Sequence, residues 1–359
     1  MAPPPRRLGK DGYEESRPPE KDAHQGGALA RISSGPWKVR PVDSLGLDGS
    51  GEQRHAPTLQ AGGTPGLEPV RIRTGCAGER VDLAGLLGCP AQPRQGAFQA
   101  VVLVHGFAAE KTENGLFTEI GAELLRSGYI VLLYDWRGLK DSEGDFSRTT
   151  LRTHASDFRS VVDWLTSRCG LASTQLCAVG FSLGAALVAQ AVTHGLMLGA
   201  SSFWSPAVRP SISMWPRYST PEMKSELKAK GFILKTENNV RLGSRILHSL
   251  RSTDLGATAF ALGPPLLVCH GTNDERIPIK HTQQLVSASS RRKNFTFAEF
   301  HGASHSFRPA PEMRPYLFRL FKHWLSNDGF RARRHRLSIP QGGLPTPAPA
   351  WSETQLAVS

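Results

Sequence analysis

The sequence predicts an α/β fold: a mostly parallel central sheet flanked by helices, with a small cap insertion at about 205–262. Two observations carry this. From residue 70 onward, short and continuously apolar runs alternate with helix-length segments, which is what strands buried on both faces of a parallel sheet require. The segment 205–262 breaks that rhythm and carries apolar anchors of its own at Met214, Trp215, Tyr218 and Phe232.

The elements follow in order. Residues 69–74 and 80–87 read as two early strands, a hairpin at a sheet edge. Residues 99–104 (QAVVLV) form a fully apolar strand that ends at His105-Gly106. A helix is expected around 113–127, closed by Gly128, and YIVLLY at 129–134 is the next strand. Residues 151–168 place Leu151, Phe158, Val161, Val162 and Leu165 on one helical face. A strand at 175–179 leads into a helix at 183–194, and further strands fall at 199–204, 265–269 and 295–300, the last of the sheet. A closing helix spans about 312–326.

Composition divides the 359 residues into three parts. Residues 1–69 are rich in Pro, Gly and Ser with few apolar clusters, and read as a disordered or loosely ordered leader. Residues 70–328 are the foldable unit, and 329–359 form a basic, Pro-rich tail. The leader has no continuous apolar core of a secretory signal, and its acids (Asp11, Glu14, Glu15, Glu20, Asp22) argue against a transit peptide. No stretch reaches the roughly 18–20 apolar residues of a membrane span. The five cysteines have no C-x-x-C spacing, which fits reduced thiols in a cytoplasmic protein. The formal charge of +12 is scattered apart from Arg291–Lys293 and Arg331–Arg336, and no nucleic-acid-binding signature accompanies it.

In an open parallel sheet, ligands bind outside the carboxyl ends of the strands. Four such ends carry reactive residues. Gly180-Phe-Ser-Leu-Gly184 follows the strand at 175–179 and matches G-x-S-x-G. Glycines are needed there because a sharp strand-to-helix turn leaves no room for neighbouring β-carbons. Ser182 then stands at a helix N-terminus, whose amides and dipole favour developing negative charge. A serine hydroxyl needs a base, and His305 stands in HGASHSF after the last strand. The base needs an orienter, and Asp274 stands in HGTNDERIP after the strand before it. His105-Gly106-Phe107 follows the central strand, so the amides of Phe107 and Leu183 are candidates to converge on an oxyanion.

These residues resemble the α/β-hydrolase superfamily, and within it the cinnamoyl/feruloyl-esterase-like and serine-aminopeptidase-like (S33) branch. The resemblance covers about 98–325 and rests on HGF at 105–107, KTENGLF at 111–117, YDWRGLKDSEGDF at 134–146, GFSLG, HGTNDERIP and HGASHSF. It implies the α/β-hydrolase fold, Ser182 as nucleophile, His305 as base, Asp274 as orienter, and Phe107 and Leu183 as oxyanion amides. The implied activity is that of a serine hydrolase cleaving carboxylic esters through an acyl-enzyme intermediate, on a small-molecule ester, with no metal or organic cofactor. The rivals are an aminopeptidase or amidase, a lipase, a thioesterase, and a non-catalytic hydrolase-like binding protein. Lys140 stands where the family's R-G-x-G-x-S loop usually has glycine, and residues 205–262 match only in their later part.

Other residues have plainer readings. His270 and His301 are the rivals of His305, and Asp254, Glu275 and Glu299 those of Asp274. His105 is expected to organise its loop. Asp135 and Arg137 are expected to make loop hydrogen bonds or an ion pair, and Lys111 to be solvated. Trp204, Trp215 and Tyr218 serve either as pocket lining or as packing.

Overall fold

A computed structural model describes residues 66–76, 78–254, 263–288, 292–307, 313–329 and 334–340. The chain enters through β1 (Glu68–Cys76) and β2 (Glu79–Gly88), an antiparallel hairpin. It then alternates: β3 (Ala100–Val104), α1 (Leu116–Arg126), β4 (Ile130–Tyr134), α2 (Leu151–Cys169), β5 (Leu176–Phe181), α3 (Leu183–Thr193) and β6 (Ala200–Trp204). An insertion follows, with α4 (Pro210–Ser213), α5 (Pro221–Lys230), the hairpin β7 (Phe232–Lys235) and β8 (Val240–Gly243), and α6 (Ser244–Ser252). The chain returns through β9 (Leu266–Gly271), α7 (Ile279–Ala288), β10 (Phe295–Phe300), α8 (Met313–Ser326) and β11 (Arg334–Ile339).

Among the described residues the large sheet has nine strands in the order β1-β2-β4-β3-β5-β6-β9-β10-β11. From β4 to β11 every neighbouring pair is parallel. Strands β3 and β4 are apolar and buried at every position. Successive side chains of a strand point to opposite faces, so both faces need a cover. Val101, Leu103, Val131 and Leu133 share one core with Phe117 and Ile120 of α1 and Phe321 and Trp324 of α8. Val102, Val104 and Leu132 share the other with Phe158 and Val162 of α2 and Leu187 of α3. Each fully buried side chain of this size contributes about 1.5–3 kcal/mol, so the two cores dominate the stability of the sheet.

The strand order also places the site. The chain runs from β3 outward to β4 on one side, then returns to β5 on the other side of β3. This reversal leaves the carboxyl ends of β3 and β5 side by side without a crossing connection, the crevice where open parallel sheets bind ligands.

Three departures from the sequence reading have physical causes. The helix expected at 113–127 starts only at Leu116, because Glu113, Asn114 and Gly115 are all left-handed, with φ of 47°, 53° and 90°. The sheet does not end at 295–300: β11 pairs in parallel with β10 inside what reads as a basic tail. Among the described side chains of β11, Leu337 and Ile339 are buried, while Arg336 reaches Glu299 at 2.9 Å, so an edge strand with one wet face carries the composition of a tail. Leu67 is buried and β1 begins at Glu68, within the expected leader, whose residues 1–65 lie outside the described residues. Among the described residues no helix is long and apolar enough to cross a membrane.

Candidate active site

Ser182 occupies the corner between β5 and α3 with φ 52° and ψ −120°, a backbone conformation that costs a non-glycine residue about 1–3 kcal/mol. The surroundings hold it there. Its N–H donates to the Trp204 carbonyl at 2.9 Å, and its carbonyl accepts from Ala207 N at 3.0 Å and Ala185 N at 3.2 Å. The two flanking glycines are dictated by space. A β-carbon at Gly180 would lie 2.6 Å from Ala185 N, and one at Gly184 would overlap the carbonyl oxygens of Val104 and His105.

The loops after β9 and β10 bring Asp274 and His305 to this corner. His305 Nε2 lies 3.1 Å from Ser182 Oγ, and its Nδ1 lies 2.8 Å from Asp274 Oδ2. All three residues are buried; the His305 side chain keeps 8% of its surface exposed, whereas that of Asp274 is fully buried. Ser205 Oγ donates to the His305 carbonyl at 2.8 Å, and the Phe181 ring lies 5.1 Å from the imidazole, so the histidine is held by backbone and by packing. Asp274 Oδ1 accepts from the backbone N–H groups of Arg276 and Ile277 at 2.9 and 2.8 Å. Burial opposes its ionisation, but hydrogen bonds from His270 and His305 hold the carboxyl well below the usual carboxylate range. The aspartate is therefore a fixed negative charge on the side of the imidazole away from Ser182.

The rival residues lie elsewhere. His270 is fully buried and does not face Ser182. Its Nε2 is 3.0 Å from Asp274 Oδ2 and 2.8 Å from the Ile277 carbonyl, and its Nδ1 is 2.9 Å from Thr282 Oγ1. His301 is at Ser338 Oγ, Asp254 pairs with Arg209, and Glu299 pairs with Arg336.

The turn after β3 forms the facing wall. Phe107 is half-buried, and Leu183 is the first residue of α3, where a helix leaves its N–H groups without internal acceptors. Among the described residues neither amide is bound to a protein acceptor. His105 organises this turn: Nδ1 donates to the Gly106 carbonyl at 2.8 Å, Nε2 accepts from Trp136 N at 3.1 Å, and the ring stacks on Trp136. Burial pushes its pKa down to about 4, which matches a neutral ring with one donor and one acceptor nitrogen.

Asp135 and Arg137 make the expected loop hydrogen bonds and ion pairs, but Lys111 departs from its plain reading. Lys111 is not solvated; its Nζ is 2.6 Å from Asp135 and 2.7 Å from Asp141. Asp135 accepts the Lys111 backbone N–H at 2.7 Å as well as its Nζ, and Arg137 grips Asp157 at 2.7 and 2.8 Å. Trp204 is buried among Phe117, Phe318 and Phe321 as core packing. Tyr218, from the insertion, meets the Phe107 ring edge-on at 5.6 Å.

Two features escaped the sequence reading. Glu113 is buried in the left-handed stretch before α1, and its Oε2 accepts the Gly106 N–H at 2.6 Å. It lies within KTENGLF, but nothing in that spelling says its carboxyl folds back on the HGF turn. The second is a cavity of about 370 Å³ beside that turn, lined by Ala108, Ala109, Lys140, Phe146, Asn238 and Arg241 among others. Asn238, at the tip of the β7–β8 hairpin, donates to the Ala108 carbonyl and so fixes the insertion to the turn.

A serine hydroxyl, an imidazole and a carboxylate in hydrogen-bonded sequence at a helix N-terminus is an arrangement that can carry acyl transfer. Comparison with known proteins agrees with the fold. Human Protein ABHD12B is 25% identical over 186 residues, which are 52% of this chain and 48% of that protein. The chain thus spans about half the length of this curated relative. Est1E from Butyrivibrio proteoclasticus, solved with ferulic acid bound, superposes with a TM-score of 0.57 at 19% identity, over 72% of this chain and 98% of that one. An esterase from Pyrococcus furiosus gives 0.55 at 16% identity, over 73% and 91%. At these identities the structures speak for the fold. A family model described as the alpha/beta hydrolase family matches residues 101–315, and the chain belongs to that family.

Proposed function

We propose that this protein is a serine hydrolase that cleaves carboxylic esters of small molecules through an acyl-enzyme. The observation that carries the reading is the relay from Asp274 through His305 to Ser182, with 2.8 and 3.1 Å contacts, on a strained corner between two space-restricted glycines. Ser182 Oγ attacks the ester carbonyl while His305 Nε2 takes its proton. Asp274 holds the imidazole with Nδ1 as donor and stabilises the imidazolium that forms. The Phe107 and Leu183 amides receive the oxyanion, each worth about 10²–10³ in rate. His305 then protonates the leaving alcohol, and water activated by the same nitrogen releases the acid. The free thiols at Cys89, Cys169, Cys177 and Cys269 favour a reducing, cytoplasmic compartment.

The test is hydrolysis of a p-nitrophenyl ester panel of varied acyl length, together with fluorophosphonate labelling. Turnover and a label that Ser182→Ala abolishes are expected. Absence of label on the native protein, or equal labelling of the variant, overturns the reading in favour of a non-catalytic binding protein. Preference for anilide, long-chain acylglycerol or thioester substrates in the same assay identifies an amidase, a lipase or a thioesterase.

A further inference from the structure

The cavity of about 370 Å³ beside the HGF turn is walled by three segments far apart in the chain. The turn after β3 gives Ala108 and Ala109, the loop after β4 gives Lys140, Asp145 and Phe146, and the β7–β8 hairpin of the insertion gives Arg241. Its volume is that of a small-molecule site. It also stands close to Ser182. A β-carbon on Gly106 would lie 3.3 Å from Ser182 Cβ, and Ala108 is two residues further on, a reach of at most about 7 Å. Phe146, in the cavity wall, meets the Phe107 ring at 5.9 Å, so an apolar surface continues from the turn into the cavity.

The charge in this wall is lopsided. Lys140 and Arg241 are exposed bases, and Asp145 is the one acid among the lining residues. Asp145 is already engaged, its Oδ1 accepting from the Ser147 N–H at 2.9 Å and the Ser147 hydroxyl at 2.7 Å. The Arg241 guanidinium lies 4.9 Å from the centre of the Phe232 ring, and among the described residues no carboxylate pairs with it. Lys140 Nζ is 3.6 Å from Glu110, a long contact between side chains that are 51% and 36% exposed, which water screens and a ligand can replace. Lys140 is also strained. Its φ is 47°, a conformation that glycine adopts freely and that a β-carbon makes costly. A turn gains nothing from an ammonium group at such a position, and a strained residue on a cavity wall points to a ligand.

We propose that this cavity receives a carboxylate that the ester substrate carries away from its scissile bond, held by Lys140 Nζ and the Arg241 guanidinium. The inference rests on the serine-hydrolase reading and names its substrate class: esters bearing a second, ionised carboxyl group. Two bases against one acid leave the wall a single net positive charge. A monoanionic carboxylate neutralises it, whereas a dianionic phosphate leaves an excess of negative charge. Lys140 supplies a point charge and Arg241 a planar fork that matches the two carboxylate oxygens. The Phe107 and Phe146 rings flank the hydrocarbon spacer between the two ends of the substrate.

The experiment compares two matched pairs of esters on the full-length protein. Mono-p-nitrophenyl suberate against its methyl ester puts the carboxylate on the acyl side, and 4-acetoxybenzoate against its methyl ester puts it on the leaving alcohol. In one pair, kcat/KM for the ionised member is expected to exceed that of its methyl ester by about three- to tenfold at low ionic strength, and the ratio to fall as salt rises from about 20 to 500 mM. The pair that shows the preference tells the acyl side from the alcohol side. Lys140→Gly removes the charge and seats at φ 47° the residue suited to it, and Arg241→Met removes the other base. Each is expected to bring the ratio toward one, and Lys140→Arg to keep it. A ratio of one in both pairs, a preference indifferent to salt, or one that survives both Lys140→Gly and Arg241→Met overturns the inference and leaves the hydrolase reading standing. Absence of turnover of all four esters also overturns the inference, and absence of fluorophosphonate label in addition overturns the hydrolase reading. The parental ratios and their salt dependence decide by themselves, so a variant that fails to fold does not shelter the proposal.

Discussion

The Glu113 carboxylate accepts the Gly106 N–H at 2.6 Å, one residue before Phe107, from a position that is 8% exposed. Burial is the largest influence on this carboxyl and raises it to about 7; the Gly106 hydrogen bond, Arg276 and Arg314 pull the other way, and Glu110 adds to the rise. A buried acid raised above its unfolded value binds more protons folded than unfolded across the interval between the two. Stability conferred by the neutral form is therefore full below about 4.5 and declines as pH rises to about 7, then levels. Glu113→Gln keeps an acceptor for Gly106 without a charge. We expect urea melts of parent and Glu113→Gln to diverge between pH 4.5 and 7 in favour of the variant, by on the order of 2–3 kcal/mol, and to run parallel above. A constant gap across that range would show that Glu113 does not titrate there.

Asp274 Oδ2 is shared by His305 Nδ1 and His270 Nε2. Replacing Asp274 by Asn removes the charge and leaves a group that can present N–H to the imidazole, favouring the wrong tautomer. A loss in kcat of about 10⁴ with little change in KM is expected from ester kinetics. His270→Ala leaves the Ile277 carbonyl and Thr282 hydroxyl without their partner, so it is expected to destabilise by about 1–3 kcal/mol and to lower kcat far less than Asp274→Asn. Equal kcat losses for the two variants would make His270 a direct participant.

Gly184 faces the backbone carbonyls of Val104 and His105, which no rotamer change can move aside. Gly184→Ala must displace α3 from β3 and is expected to cost at least 1–3 kcal/mol by thermal or urea unfolding. It should also slow fluorophosphonate labelling of Ser182, because the corner that holds this side chain moves with the helix. Wild-type labelling rate and stability in this variant would mean that the turn has room to spare.

Arg137 and Asp157 form a bidentate pair in which both side chains are 2% exposed. Arg137→Met strands a buried carboxylate, and a loss of about 3–5 kcal/mol is expected. Joint replacement by Met and Leu should recover much of it, read as a double-mutant cycle in urea.

The apolar strands at 100–104 and 130–134 were legible because a strand covered on both faces favours an unbroken apolar run, and that constraint is local. The chain order of Ser182, Asp274 and His305 was legible for a related reason. Each follows a strand that ends on the same edge of a parallel sheet. β11 was not legible, since an edge strand buries only alternate residues and RHRLSI reads as a basic tail until Glu299 is brought within reach of Arg336. Nor was Lys111 with Asp135, because such a pairing depends on which loops the sheet order brings together.

The sequence by itself determined the fold class, the strand-turn-helix around Ser182 and the residue types available for acyl chemistry. Periodicity and glycine placement are local consequences of burial and backbone sterics. Only the tertiary structure decided that His270 faces Asp274 rather than Ser182 and that Glu113 holds the HGF turn. A buried polar side chain takes whichever partner packing leaves within about 3 Å, and chain position does not carry that information.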